Sequence, residues 1–376
     1  MIYLDNAATS LQKPSTVPQA VANAIRTVGS PGRGGHRPGM RAGDVLYRCR
    51  EKAADLFRVK SPEQVVLTMN ATHGLNIAIR SLVREGSTVL ISGYEHNSVT
   101  RVLRGIRNVD VKVAAGSLFD QEDVYRAFER QLTDDVSAVI CNHVSNVFGF
   151  IQPVDRIAEL CRKRKKPLIV DASQSAGILP VDAERWGAEF IAMPGHKGLM
   201  GPQGTGLLLC TGDAAPLLYG GTGGNSVQQA MPEYLPDRLE AGTPNVCGAA
   251  GLLAGLKFVE ELGADRIRRH ECALAAEMMN RLEQIRGVTV YRGERDQIGL
   301  FSFCAEGIDC EELGEQLGRK GVAVRAGLHC APLAHQTAGT LEKGTVRVSF
   351  SPFNTPRQAD VATAQIRSIV VGERAR

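Results

Sequence analysis

Lys197 follows a short apolar run, Phe190-Ile191-Ala192-Met193, and a Pro194-Gly195-His196 turn, and glycine-rich sequence continues to Gly206. The run reads as a buried strand, and the Pro-Gly pair ends it and throws the next side chains into a loop. A lysine so placed has little surface on which to solvate its amine. Burial lowers a lysine pKa, and a neutral amine can form a Schiff base with an aldehyde such as pyridoxal phosphate. A loop lysine pointing at water is the competing reading of this stretch taken alone.

Other residues have types suited to such a site. An acid must face the pyridine nitrogen to keep the ring protonated, and Asp171 ends the buried run Pro167-Leu168-Ile169-Val170. The phosphate calls for backbone N–H groups at a helix start with small hydroxyls, which Ala71-Thr72-His73-Gly74 offers, although Thr72 reads equally as a plain N-cap. His96 is a candidate to stack on the ring, against the common case of a structural histidine. Arg347, inside the strand-like run Val346 to Phe350, is a candidate clamp for a substrate carboxylate.

The elements that must hold these residues show a βαβ rhythm, with apolar runs alternating with helical patterns, which predicts a mostly parallel sheet. Val65–Thr68, Thr88–Ser92, Val136–Cys141 and 167–170 each lead directly into polar residues, as Phe190–Met193 leads to Lys197. Ligands bind at the carboxyl ends of strands in open α/β sheets. Helices are expected over 18–28, 45–57 and 75–83, and one long helical region over 248–286. The stretch 29–43, with its glycines, Pro31 and Pro38, reads as an irregular site or interface loop. After about residue 286 further strands alternate with helices, as in a smaller α+β domain.

At 376 residues two domains are expected. The balance of 44 basic against 40 acidic residues leaves +4, too mild to argue for nucleic acid or a membrane surface, and the basic run 162–166 reads as a solvated helix C-terminus. With no signal-like N-terminus and no apolar stretch of spanning length, a soluble cytoplasmic protein is expected. The nine scattered cysteines include no Cys-x-x-Cys pair, which argues against a structural metal site or disulfide framework, so no metal is expected. Most should be buried thiols in a reducing compartment.

In order and spacing, a set of motifs resembles class V aminotransferase-fold enzymes, and among them cysteine desulfurases of the group that includes selenocysteine lyase-like proteins. They are Tyr3-Leu4-Asp5-Asn6-Ala7-Ala8-Thr9, Ala71-Thr72-His73-Gly74, Glu95-His96-Asn97, His143-Val144-Ser145-Asn146, Asp171-Ala172-Ser173-Gln174, Gly195-His196-Lys197, Glu240-Ala241-Gly242-Thr243-Pro244-Asn245 and Arg325-Ala326-Gly327-Leu328-His329-Cys330-Ala331-Pro332. The resemblance implies an α/β, fold-type I transferase dependent on pyridoxal 5'-phosphate (PLP). Its large domain, with a mostly parallel seven-stranded sheet, would span 16–250, and a smaller α+β domain would comprise 1–15 and 251–376.

The resemblance also implies roles. Lys197 would hold the cofactor and shuttle protons, and His96 would stack on its ring and take part in proton transfer. Asp171 would pair with the ring nitrogen. Gln174 and Asn146 would lie near the phenolic oxygen, and Asn146 also near the substrate carboxylate. Thr72, the His73 amide, Ser173 and His196 would hold the phosphate, with Thr243 reaching across from a second subunit of a homodimer. Arg347 would clamp the substrate carboxylate, with Arg325 close by. Cys330, set between Arg325, His329 and His335, would be the nucleophile, those neighbours favouring its thiolate; by residue type alone it reads as one more buried thiol.

The implied reaction takes L-cysteine to L-alanine and leaves a persulfide on Cys330, with L-selenocysteine a further candidate substrate and an acceptor protein draining the sulfur. A selenocysteine lyase, an aminotransferase or epimerase of the same fold, or a non-catalytic scaffold are the alternatives. Two departures stand out. Pro194 occupies a position where the resembled family commonly supplies a hydroxyl to the phosphate, and the 220–240 stretch is short.

Overall fold

A computed structural model describes residues 1–32, 35–224 and 227–374, so Arg33, Gly34, Asn225 and Ser226, within two of the glycine-rich stretches, lie outside the described residues. The strands are β1 (Ile2–Tyr3), β2 (Val65–Thr68), β3 (Thr88–Ser92), β4 (Asp110–Ala114), β5 (Val136–Asn142), β6 (Leu168–Asp171), β7 (Phe190–Pro194), β8 (Gly206–Cys210), β9 (Val288–Tyr291), β10 (Leu300–Ala305), β11 (Val322–Ala323), β12 (Arg325–Gly327) and β13 (Thr345–Ser349). Seven of them form one sheet in the order β2-β8-β7-β6-β5-β3-β4. Only β8 runs against the others, pairing antiparallel with both β2 and β7. The expected mostly parallel sheet is therefore present, and the carboxyl ends of β2, β3, β5, β6 and β7 share one edge.

Strands buried on both faces need apolar side chains in both phases of the pleat. Leu90, Val139, Val170 and Met193 point into one core layer, while Val89, Ile91, Ile140 and Ile169 point into the other. A second sheet, β12-β13-β10-β9, is antiparallel and forms the smaller unit. Its apolar face carries Phe301, Phe303, Val346 and Val348 into a separate core with Leu274, Leu313 and Ile366. Arg347, between two core valines, must point the opposite way. The N-terminal β1 pairs with β11, and Leu4 and Ser349 continue the link through a 2.8 Å backbone bond, which carries Asp5 to the second sheet.

Three expectations need correction. The 29–43 stretch is not irregular throughout: a helix begins at Arg37 and runs to Phe57. His36 caps it through Nδ1, and Pro38 falls in the first turn, where its missing N–H has no intrahelical role. The 248–286 region is two helices, Val246–Leu262 and Ala264–Leu282, because Gly263 takes φ +83° between them. The expected helix over 75–83 starts earlier, at Ala71, which places Thr72 and His73 in its first turn. Among the described residues no helix is long and apolar enough to cross a membrane.

Candidate active site

The shared strand edge encloses a cavity of about 100 Å³. Thr72, His96, Asn146, Asp171, Ser173, Gln174, His196 and Lys197, all singled out from the sequence, line it together with Ser98. A cleft of about 930 Å³ elsewhere is larger, but Lys197 and Asp171 face the small cavity, which makes it the candidate site.

Lys197 is held by backbone pressed against backbone. Its neighbour Gly198 lies so close to the 172–179 turn that a Cβ there would stand 2.4 Å from the Ala176 carbonyl oxygen. The Lys197 carbonyl accepts from Ser10 Oγ at 3.1 Å, and the His196 carbonyl accepts from Lys13 Nζ at 2.9 Å. Burial is the main force lowering the Lys197 pKa, to about 8; Asp171 and Asp5 raise it, while Arg347 and Arg325 lower it further. An appreciable fraction of the amine is thus neutral near physiological pH. Lys13, also lowered to about 8 by burial, is a second such amine that no sequence signal marked.

The start of helix 71–82 is capped by Asn70, whose Oδ1 accepts from His73 N at 2.8 Å. Two consequences follow. Thr72 is not the N-cap, and the His73 amide, expected on a phosphate, is already taken. His73 instead lines a different cavity, beside Thr243. Thr72 Oγ1 lies 2.8 Å from Ser98 Oγ, which lies 2.9 Å from His96 Nδ1. Burial above all lowers the His96 pKa to about 4, and His196 is lowered to about 4 for the same reason, so both rings are neutral at pH 7. Behind them Glu95 is fully buried; burial pushes it up to about 8 despite hydrogen bonds from Ser92 Oγ and Asn142 N.

Arg347 and Arg325 are cross-strand partners on β13 and β12. Asp5 lies between them, accepting from Arg347 Nη2 at 2.8 Å and from Arg325 Nε at 3.1 Å. Arg347 Nη1 donates to the Asn146 carbonyl at 2.9 Å, and the Asn146 amide donates to the His329 carbonyl at 2.8 Å. Cys330 is exposed, and its carbonyl accepts from Asn97 N at 2.8 Å, next to His96. His329 and Cys330 both adopt left-handed backbone, at φ 53° and 55°, so this turn is strained as well as anchored.

The charge expected around Cys330 is only partly there. His329 and His335 stack on each other, and burial lowers both pKa values, His335 to about 4, so both are neutral. Of those three neighbours only Arg325 carries charge, and it shares Asp5 with Arg347. Cys330, Arg325 and Arg347 do not line the cavity itself, and Thr243 is exposed beside the large cleft. Asp5, Ser98, Glu95 and Lys13 carry no functional signal in the sequence: the partners of Asp5 lie more than 300 residues away, and nothing in local spacing shows that Ser98 meets His96, that Glu95 is buried or that Lys13 reaches the His196 carbonyl.

A family model described as aminotransferase class-V matches residues 2–362. The chain belongs to the class-V aminotransferases. Among curated members it is similar to a probable cysteine desulfurase of Halalkalibacterium halodurans, 34% identical over 96% of this chain and 91% of that protein. Another, from Methanothermobacter thermautotrophicus, is 31% identical over 98% of this chain and 94% of the relative. A solved structure of a cysteine desulfurase from Thermococcus onnurineus NA1 superposes with a TM-score of 0.89 at 30% identity, covering 99% of this class-V chain and 95% of that one.

Proposed function

We propose that this chain is a PLP-dependent cysteine desulfurase that converts L-cysteine to L-alanine and leaves the sulfur as a persulfide on Cys330. The observation that carries the reading is the convergence of a buried, partly neutral Lys197 with Asp171 in one cavity, with an exposed Cys330 on a turn anchored to Asn97, the residue after His96. The names of the relatives support the same activity.

The residues present fit PLP. Asn146 Oδ1 and His196 Nδ1 are buried with no partner among the described residues, and Ala71 and Thr72 at the helix start line the cavity. Bound there, the cofactor would supply an electron sink for bonds at the substrate α-carbon. Lys197 would attach it, and its amine, poised near neutrality, would then take up and release protons. Asp171 would hold the proton on the pyridine nitrogen, with its Oδ1 steadied by Ser173 N at 2.9 Å. Thr72, Ser173 and His196 would hold the phosphate, with helix-start amides of Ala71 and Thr72 in place of the His73 amide and of the hydroxyl that Pro194 lacks. Gln174, through an amide fixed on the Ala7 carbonyl, and Asn146 would flank the phenolic oxygen.

Arg347 would receive the substrate carboxylate, with Arg325 beside it. The Cys330 thiolate would attack the substrate sulfur; the S–S bond forms as the C–S bond breaks, and the electron pair stays with the carbon skeleton, which is protonated and leaves as alanine. L-selenocysteine presents the same contacts and is the second substrate of the proposal. The exposed Cys330 suits delivery to an acceptor protein. A homodimer would bring Thr243 of the partner to the phosphate, and nine unpaired cysteines suit the cytoplasm.

The test is alanine release from L-cysteine and L-selenocysteine by wild type and Cys330→Ala. We expect the variant to lose activity with cysteine and keep it with selenocysteine. No alanine from either substrate with wild type would overturn the reading.

A further inference from the structure

His96 occupies an unusual place for a group that carries protons. It caps helix Asn97–Arg104, and its Nδ1 lies 3.0 Å from Ser98 N and 2.9 Å from Ser98 Oγ. A backbone amide can only donate, so Nδ1 must accept and cannot itself bear hydrogen. The ring then has one site for a proton, Nε2. Protonating Nδ1 would set N–H against N–H at a helix N-terminus, where the backbone already presents partial positive charge.

The surroundings act in the same direction. Of the charged groups that His96 feels, Asp171 favours the cation, while Lys197, Arg347 and Arg101 oppose it; burial, the largest effect, opposes it too. The Ser98 hydroxyl, 2.8 Å from Thr72 Oγ1, ties the same capping turn to the start of helix 71–82.

We propose that Ser98 is a positioning residue that locks His96 as the neutral imidazole with its only proton on Nε2. His96 then offers the cavity a flat face and a hydrogen-bond donor, and Lys197 is left as the group there that takes up and gives up protons. What His96 faces rests on the PLP reading. The tautomer belongs to the chain alone and can be measured without cofactor or substrate.

The experiment is nitrogen NMR of the full chain, labelled with ¹⁵N-histidine, with His96 assigned by its loss in His96→Gln. In wild type we expect an unprotonated Nδ1 and a protonated Nε2 that do not change from about pH 8 down to about pH 5.5. Ser98→Ala keeps the amide and should leave that pattern intact. Ser98→Pro removes both amide and hydroxyl at a first-turn position where no intrahelical bond is lost. There Nδ1 loses the donor that holds it unprotonated, and the ring nitrogens should shift towards a mixture of the two neutral tautomers.

A wild-type His96 that carries its proton on Nδ1, or that titrates near 6.5, overturns the lock. So does a folded Ser98→Pro in which nothing changes. If Ser98→Pro does not fold, the wild-type spectrum decides. A correct tautomer in a protein that releases no alanine would leave this inference standing and remove the proposed function.

Discussion

Asp5 answers a problem that Arg325 and Arg347 create for each other. Two cations directly opposite on neighbouring strands repel, and one carboxylate between them offsets that repulsion. The two contacts are unequal in weight. The Arg347 side chain is 3% exposed and that of Arg325 49%, while Asp5 is at 12% in both pairs. Breaking a buried pair leaves an uncompensated charge and costs about 3 kcal/mol, whereas a half-exposed pair is worth under about 1 kcal/mol. Asp5→Asn should therefore lose about 3 kcal/mol in a urea titration, and Arg325→Ala under about 1 kcal/mol. Equal losses would show that Asp5 serves Arg325 as much as Arg347. Lys197, Asp171 and Arg347 were legible in the sequence because each sits in or just after an apolar run. Asp5 could be quoted as part of a motif but not given a task, since its partners lie more than 300 residues away.

At the scale of elements, legibility followed burial. Strands apolar in both phases were read directly, whereas β4, Asp-Val-Lys-Val-Ala at the sheet edge and half-buried, was missed. The run 322–327 is extended almost throughout, yet it divides at Val324: β11 pairs with β1 and β12 with β13, a choice of partners that local sequence does not encode. Glycines misled in one place and served in another. Gly39 and Gly43 suggested a loop where a cap and Pro38 start a helix. The glycines flanking Lys197 do mark a constrained turn, because it must approach its neighbours closely. Gly198→Ala tests this. Its Cβ would meet the Ala176 oxygen at 2.4 Å, and rigid backbone on both sides means the Lys197 loop must shift. A displacement of about 1 Å at a covalent centre can cost on the order of a hundredfold. We expect a folded variant that retains PLP at least roughly tenfold less well, read as visible absorbance after desalting. Wild-type retention would show that the loop absorbs the methyl without moving Lys197.

For the whole molecule, the proposed role of Thr243 puts it at a cavity that it does not line within one chain. Its loop is firmly built: Glu240 pairs with Arg50 at 2.5 Å and accepts from Leu67 N at 2.7 Å, yet Thr243 itself is exposed beside the 930 Å³ cleft. Exposed Tyr47, Leu218, Tyr219 and Tyr234 belong to the same surroundings, or to the sequence around them. In a two-fold dimer a residue that serves the neighbour does so reciprocally. Thr243→Ala should then weaken PLP binding in a homodimer, and Lys197→Ala should abolish covalent attachment. Co-refolding the two variants separates the cases. A mixed dimer has one site with Lys197 from the Thr243→Ala chain and Thr243 from the Lys197→Ala chain, which is complete. Random pairing makes about half of the dimers mixed, so about a quarter of all sites should recover wild-type affinity. If Thr243 acted within its own chain, every site would lack one of the two residues, and mixing would restore none.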